Sequence, residues 1–182
     1  MPNTTCDVAV VGAGPAGAAT ALYAARAGLD VTLIDKRTFP RDKICGDAIA
    51  RKSLSYLDEL GLLDRVRAHT HESIGRAVLS SPNGKQVDID LSAPEDPAPH
   101  MVCRRTDFDD VLVGAARAAC RVIEGSAVVD VQQHNGRVAG VTVREADHDR
   151  YVRARVVVGA DGFDSIVARR LGHYRHDSSR WF

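Results

Sequence analysis

Apolar positions in this chain come in short unbroken runs and in longer periodic stretches, and the two kinds alternate. Val8–Val11 is a compact apolar run closed by Gly12, the pattern of a strand buried on both faces. Ala16–Ala27 is rich in alanine and predicts a helix, with Gly28 placed to end it. Asp30–Asp35 encloses Val31, Thr32, Leu33 and Ile34 and predicts a second strand. Strand, glycine turn, helix and strand within about 30 residues make a βαβ unit, and so an α/β fold.

The pattern continues less regularly. Lys36–Asp47 is polar and predicts a long excursion from the carboxyl end of the second strand. Ser53–Val66 carries Leu54, Leu57, Leu60 and Leu63 on neighbouring turns and predicts one amphipathic helix. Ala77–Leu91 has two strand-like arms around Pro82-Asn83-Gly84, a hairpin signal. Ala93–Pro99 holds three prolines and predicts a loop. Asp107–Cys120 predicts a third helix, the second rich in Ala, Val and Leu, with Thr106 as its N-cap. Ala127–Val131 and Arg137–Val143 flank His134-Asn135-Gly136, a second hairpin. Tyr151–Gly159 ends in three valines and predicts a buried strand, after which Ser165 opens a short helix.

Composition narrows the partners. The chain has 24 Lys and Arg against 24 Asp and Glu, a formal net charge of zero. Without a basic excess there are few counterions to displace from a polyanion, so nucleic acid is not expected as a partner. No apolar run approaches the roughly 20 residues of a membrane-spanning helix. The opening MPNTTCDVAVVGAG has neither a basic n-region nor a long apolar h-region, so no signal peptide is expected and the expected location is cytoplasmic. Cys6, Cys45, Cys103 and Cys120 form no C-x-x-C pair; reduced thiols are expected, most of them filling the core. The seven histidines show no metal-ligand spacing, His69 and His71 are expected at the surface, and no metal is expected.

The candidate chemistry begins at Gly12-Ala13-Gly14-Pro15-Ala16-Gly17, a G-x-G-x-x-G match. Alone the pattern says little. Here a strand precedes it, a helix follows it, and an acidic residue, Asp35, closes the next strand. Gly12 permits the tight turn, Gly14 lets a pyrophosphate approach the main chain, and Gly17 lets helix and strand pack closely. The helix N-terminus offers N–H groups and the positive end of its dipole to phosphates. Asp35 is placed to accept hydrogen bonds from a ribose diol. A glycine-rich turn with no nucleotide leaves this full context unexplained. The motif does not by itself choose between FAD and NAD(P). An arginine near Asp35 can hold a 2′-phosphate, and Lys36 and Arg37 follow it, although a solvated turn is the preferred account of that pair.

Four segments occur in order: GAGPAGAATALYAARAG, DKRTFPRDKICGDAI, VCRRTDFDDVL and VVVGADGFDSIVARRLG. Over Cys6 to about Gly172 the chain resembles the geranylgeranyl reductase family of FAD-dependent oxidoreductases, within the p-hydroxybenzoate-hydroxylase-like flavoprotein superfamily. The ADGxxSxxAR stretch is shared across that superfamily, whereas Pro40-x-x-Lys43-x-Cys45-Gly46 points to the reductase branch. Members reduce isoprenoid double bonds in chlorophyll side chains, archaeal lipids or menaquinone. The resemblance implies a Rossmann-like FAD-binding βαβ unit with β-hairpin insertions. It makes residues 1–182 an N-terminal FAD-binding domain, with the second FAD motif and most of the substrate domain absent from the sequence. It implies FAD as cofactor and a small isoprenoid substrate; NAD(P)H is one candidate electron donor, which the sequence does not name, and a lipid substrate leaves peripheral membrane contact open. The alternatives are an aromatic monooxygenase or halogenase on the same scaffold, and a non-catalytic FAD-binding fragment.

Carried onto this chain, the family's cofactor contacts fall on Gly12, Gly14, Pro15, Ala16 and Gly17, and on Asp35 with Lys36. They continue on Cys45, Gly46 and Ala48, on Arg104 and Val128, and on Asp161 with Gly162. A guanidinium at Arg104 suits phosphate or ribityl oxygens, although read alone it would be a surface arginine beside Arg105. Val128, in the strand after the Asp107–Cys120 helix, is expected to meet the adenine end through its main chain. Asp161 and Gly162 follow a strand's carboxyl end, where open α/β sheets place ligands; a turn there with Ser165 as N-cap is compatible with that role. Cys45 is expected near the flavin ring and is the one thiol with a candidate catalytic role. Many members carry a second glycine after the Cys-Gly pair. Asp47 departs from that pattern and adds a carboxylate with no assigned role.

Overall fold

The computed structural model describes residues 4–91, 100–146 and 148–173. In chain order the elements are β1 (Thr4–Val11), α1 (Pro15–Arg26), β2 (Val31–Ile34), β3 (Ala48–Ile49), α2 (Arg51–Glu59) and α3 (Leu63–Arg67). There follow β4 (His71–Ile74), β5 (Arg76–Ser80), β6 (Gln86–Asp90), β7 (His100–Cys103) and α4 (Arg105–Ala119). The last are β8 (Arg121–Ile123), β9 (Ala127–His134), β10 (Arg137–Glu145), β11 (His148–Gly159) and α5 (Ile166–Arg170). The chain divides into two compact units, Met1–Phe39 with Leu112–Phe182, and Pro40–Val111. The proline-rich stretch 93–99 lies outside the described residues.

The first unit is built on a six-stranded sheet in the order β8-β2-β1-β11-β10-β9. β8, β2, β1 and β11 run parallel, while β10 and β9 add antiparallel strands beyond β11. Val10 pairs with Leu33 on one side and Val158 on the other, so the apolar run around it is a central strand. Ala9, Val10, Leu33 and Ile34 are fully buried, which is why these strands read as unbroken apolar runs. β1 begins at Thr4, earlier than its apolar run, because Thr4–Cys6 pair with Val152–Ala154 of β11. α1 lies on this sheet through Gly17, Ala18, Ala21 and Leu22. Its C-terminus is closed by Gly28, whose N–H donates to the Ala25 carbonyl while that of Leu29 donates to Ala24.

The second unit holds the three-stranded antiparallel sheet β3-β7-β4 and the hairpin β5-β6. The single helix expected over Ser53–Val66 is two helices, α2 and α3. Gly61 at φ +70° ends α2. The Gly61 N–H donates to Asp58 and the Leu62 N–H to Leu57, and this six-to-one closure ends a helix whatever leucine stripe continues beyond it. The buried stripe accordingly moves from Leu54 and Leu57 to Leu62 and Val66. Thr106 is not an N-cap. α4 starts at Arg105, and the Arg104 carbonyl already accepts from Asp107 and Phe108. Strands β3, β4, β7 and β8 have two to four residues each and escaped the sequence reading. One consequence is that β8 directly follows α4, so Val128 lies one strand later than expected, on β9.

Candidate dinucleotide-binding site

The site in the first unit starts where β1 runs out. Gly12 sits at φ +96°, and a Cβ on it would lie 2.5 Å from the Ala160 carbonyl oxygen and 2.8 Å from Asp161 Cα. The turn is therefore wedged against the exit of β11, and only a residue without a side chain fits. The Gly12 N–H donates to Ile34 at 2.7 Å and the Ala160 N–H to Val11 at 2.8 Å, tying the loop to both flanking strands. Gly17 answers a second constraint. A Cβ there would stand 1.7 Å from the Gly12 carbonyl oxygen, so α1 rides directly over the turn.

Gly14 needs no glycine for its backbone angles. It is the N-cap of α1 with φ −67° and ψ −177°, an extended conformation open to any residue. Pro15 follows at the first helical position, no side chain caps α1, and no acidic residue occupies its first turn. A helix start with no side-chain cap, positive in dipole, suits a phosphate group. The uncapped helix start and the bare Gly14 fit a dinucleotide pyrophosphate, and Pro15, Ala16 and Gly17 form the first turn of α1 beside them.

Asp35 is 9% exposed and ties the loop from below. Its Oδ2 accepts from the Ala13 N–H at 2.7 Å, and its Oδ1 from the Arg37 N–H at 2.8 Å. Each carboxylate oxygen accepts two hydrogen bonds, so capacity remains for a ribose diol. A fixed anion at this point also opposes a 2′-phosphate. Lys36 and Arg37 are exposed, as a solvated turn would be.

The Asp161 carboxylate is turned towards its own chain. It accepts from the Ser165 hydroxyl and the Ile166 N–H, both at 2.6 Å, while Ser165 Oγ accepts from the Ala168 N–H at 3.0 Å. Asp161 and Ser165 together cap α5. The expected turn and N-cap are present, and it is the main chain of Ala160 and Asp161, with Gly162 following, that borders Gly12. Val128 pairs with Val143 in the ladder and its side chain packs on the core.

In the second unit Cys45 and Gly46 are exposed and Ala48 opens β3. The Cys45 thiol is held below its ordinary range, first by a hydrogen bond from the Asp47 main chain and then by the Arg105 guanidinium. Burial pushes the thiols of Cys6, Cys103 and Cys120 the other way. All four cysteines are free. Asp47 stands at φ +56°. It takes the left-handed conformation that a glycine takes without strain, and Asp is among the few other residues that tolerate it. Its carbonyl accepts from the Cys103 N–H at 3.1 Å.

Arg104 is exposed. The anchored guanidinium is its neighbour's. Arg105 makes two 2.7 Å bonds to Asp109, whose side chain is fully buried and also pairs with Arg41 at 3.0 Å. The sequence reading passed over Arg105, although its i,i+4 spacing to Asp109 on a helix was a visible signal. Among the described residues no helix is long and apolar enough to cross a membrane.

A parallel sheet, a glycine turn under a helix and a carboxylate pinned at the next strand define a dinucleotide-binding α/β unit, and the particular family follows from comparison. The FAD binding domain family matches residues 5–181, and the chain belongs to it. A menaquinone reductase of Mycolicibacterium smegmatis is 39% identical over 180 residues, 96% of this chain and 42% of that protein. A solved geranylgeranyl bacteriochlorophyll reductase-like protein of Thermoplasma acidophilum superposes with TM-score 0.79 at 30% identity, over 94% of this chain and 43% of that one. A flavin-dependent brominase superposes with TM-score 0.80 at 27% identity, over 93% of this chain and 41% of that one. The resemblance to geranylgeranyl-reductase-type flavoproteins, and the fold it implied, are borne out. The chain spans about two fifths of the length of these relatives.

Proposed function

We propose that this chain is the FAD-binding portion of an oxidoreductase that saturates isoprenoid double bonds, of the menaquinone or geranylgeranyl kind. The observation that carries the reading is the Gly12–Gly17 turn pinned by Asp35 through Ala13, with a bare, side-chain-free N-cap at Gly14. Gly14 and the first turn of α1 receive the pyrophosphate, and the spare acceptors of Asp35 receive the ribose. Bound reduced flavin supplies a hydride to an alkene, with a proton completing the addition. NAD(P)H is the electron donor in this reading, and the substrate is lipid-like, bringing the protein to a membrane surface. Cys45, Gly46, Ala48, Arg104 and Val128 are assigned to the cofactor on the family resemblance. Cys45 is the one candidate for a proton-handling role, because its thiol is exposed and more acidic than usual.

Likeness to the brominase supports a second reading, halogenation or oxygenation on the same scaffold. Protein carrying this chain is expected to purify yellow or to take up FAD, and to saturate a geranylgeranyl or menaquinone side chain once reduced. Colourless protein that takes up no FAD would remove the cofactor reading. Bound flavin with turnover only in the presence of oxygen and halide would transfer the function to the second reading.

A further inference from the structure

The segment leaving β2 is held by a device that the G-x-G-x-x-G motif does not include. β2 and β8 pair in register from Thr32↔Arg121 to Ile34↔Ile123. The pairing then continues past the end of both strands. The Asp35 N–H donates to Ile123 at 2.9 Å, the Ser126 N–H to Asp35 at 3.1 Å, and the Gly125 N–H to Arg37 at 3.2 Å. At Phe39 a side chain takes over. The Glu124 carboxylate accepts from the Phe39 N–H at 2.9 Å. Arg117 of α4 grips the other side, with two bonds to Glu124 at 2.8 and 3.0 Å and one to the Phe39 carbonyl at 3.4 Å. Glu124 is largely shielded, at 18% side-chain exposure against 40% for Arg117. Its carboxyl is held below the usual range by the Arg117 guanidinium first and by the Phe39 N–H as well.

We propose that Glu124 and Arg117 are positioning residues for the adenosine end of the dinucleotide. Resting on the reading that this unit binds one, they clasp residues 36–39 and so fix the aim of the Asp35 carboxylate. The route is short. The Asp35 carboxylate touches the Arg37 N–H on one oxygen and the Ala13 N–H of the phosphate loop on the other. Arg37 and Phe39 are both held from the 124–125 side. Releasing Phe39 lets the segment swing, taking with it the Arg37 N–H that orients the carboxylate. A ribose diol needs both spare acceptors in place at once, so a small rotation costs both bonds.

The test titrates ADP, which carries the adenosine and pyrophosphate alone, into the full chain and its variants by calorimetry, at a temperature where circular dichroism shows each fully folded. Glu124→Ala is expected to weaken ADP binding about ten-fold, the worth of one hydrogen bond to a charged group. Glu124→Gln, whose amide oxygen still accepts from Phe39, is expected to recover most of that loss. Should Glu124→Ala not fold, Arg117→Met carries the test with an expected loss of about three-fold, because Glu124 stays on Phe39 without its partner. ADP affinity unchanged in the folded variants, with only the melting temperature lowered, overturns the proposal and makes the clasp purely structural. Absence of ADP and FAD binding in the unaltered chain overturns the dinucleotide reading itself, a different result.

Discussion

Asp47 shows how much one residue's conformation explains. Read from the family pattern it was a carboxylate out of place where a second glycine is common. At φ +56° it keeps the glycine's backbone region, and its carbonyl anchors Cys103. Its main chain also supplies the first cause of the lowered Cys45 thiol. The side chain is therefore tolerated there, and the left-handed backbone is what the position requires. Asp47→Gly is expected to leave stability unchanged or raise it by up to about 1 kcal/mol, since relief of left-handed strain is offset by glycine's greater unfolded freedom. Urea unfolding of both forms measures this, and a loss above 1 kcal/mol would show that the carboxylate itself holds the loop. Arg105 teaches the converse. Two adjacent arginines look alike in sequence, yet Arg105 is locked on buried Asp109 while Arg104 faces solvent.

At the scale of elements, contacts decided what periodicity left open. The stripe over residues 53–66 is continuous, but Gly61 closes α2 locally and α3 restarts beyond it. The short strands β3, β4, β7 and β8 are too brief for a period to register, and only their partners make them strands. The βαβ crossover stands at the other extreme, because its glycines are fixed by hard contacts. Gly17→Ala puts a methyl group 1.7 Å from the Gly12 carbonyl oxygen, against main chain that cannot yield without moving α1. A destabilisation of ~3 kcal/mol or failure to fold is expected. Near-native thermal stability in that variant would mean that helix and turn are not packed as described.

For the molecule as a whole, the charge pattern sets the response to acid. Glu124 is a depressed carboxyl in a partly shielded pair. Its contribution to stability is present above the unfolded carboxyl value of about 4.3 and is lost as pH falls through the lower folded value. The stability gap between the parent and Glu124→Gln is therefore expected to be widest near neutral pH and to close only as the solution becomes acid enough to protonate the folded carboxyl. Denaturant titrations across that range measure it. A gap that instead closes with rising pH would contradict the sign of the shift. The division into two units also belongs to this scale. The second unit is an insertion between β2 and the later part of α4, covering residues 40–111.

Much of the first unit was legible in order of residues alone. The apolar runs at Val8–Val11 and Val31–Ile34, the helix between them, the glycine spacing and Asp35 form a short local pattern that the linear sequence carries, although the bare Gly12 also answers the distant main chain of Ala160 and Asp161. The four ordered segments made the family recognisable. What tertiary structure alone decided is which donors and acceptors meet. Asp161 spends its carboxylate on α5, Asp35 shares its own between Ala13 and Arg37, and Glu124 and Arg117 close on Phe39. Arg117 and Phe39 stand 78 positions apart. Separation of that size leaves no periodic trace, because a hydrogen bond selects its partner by position in space.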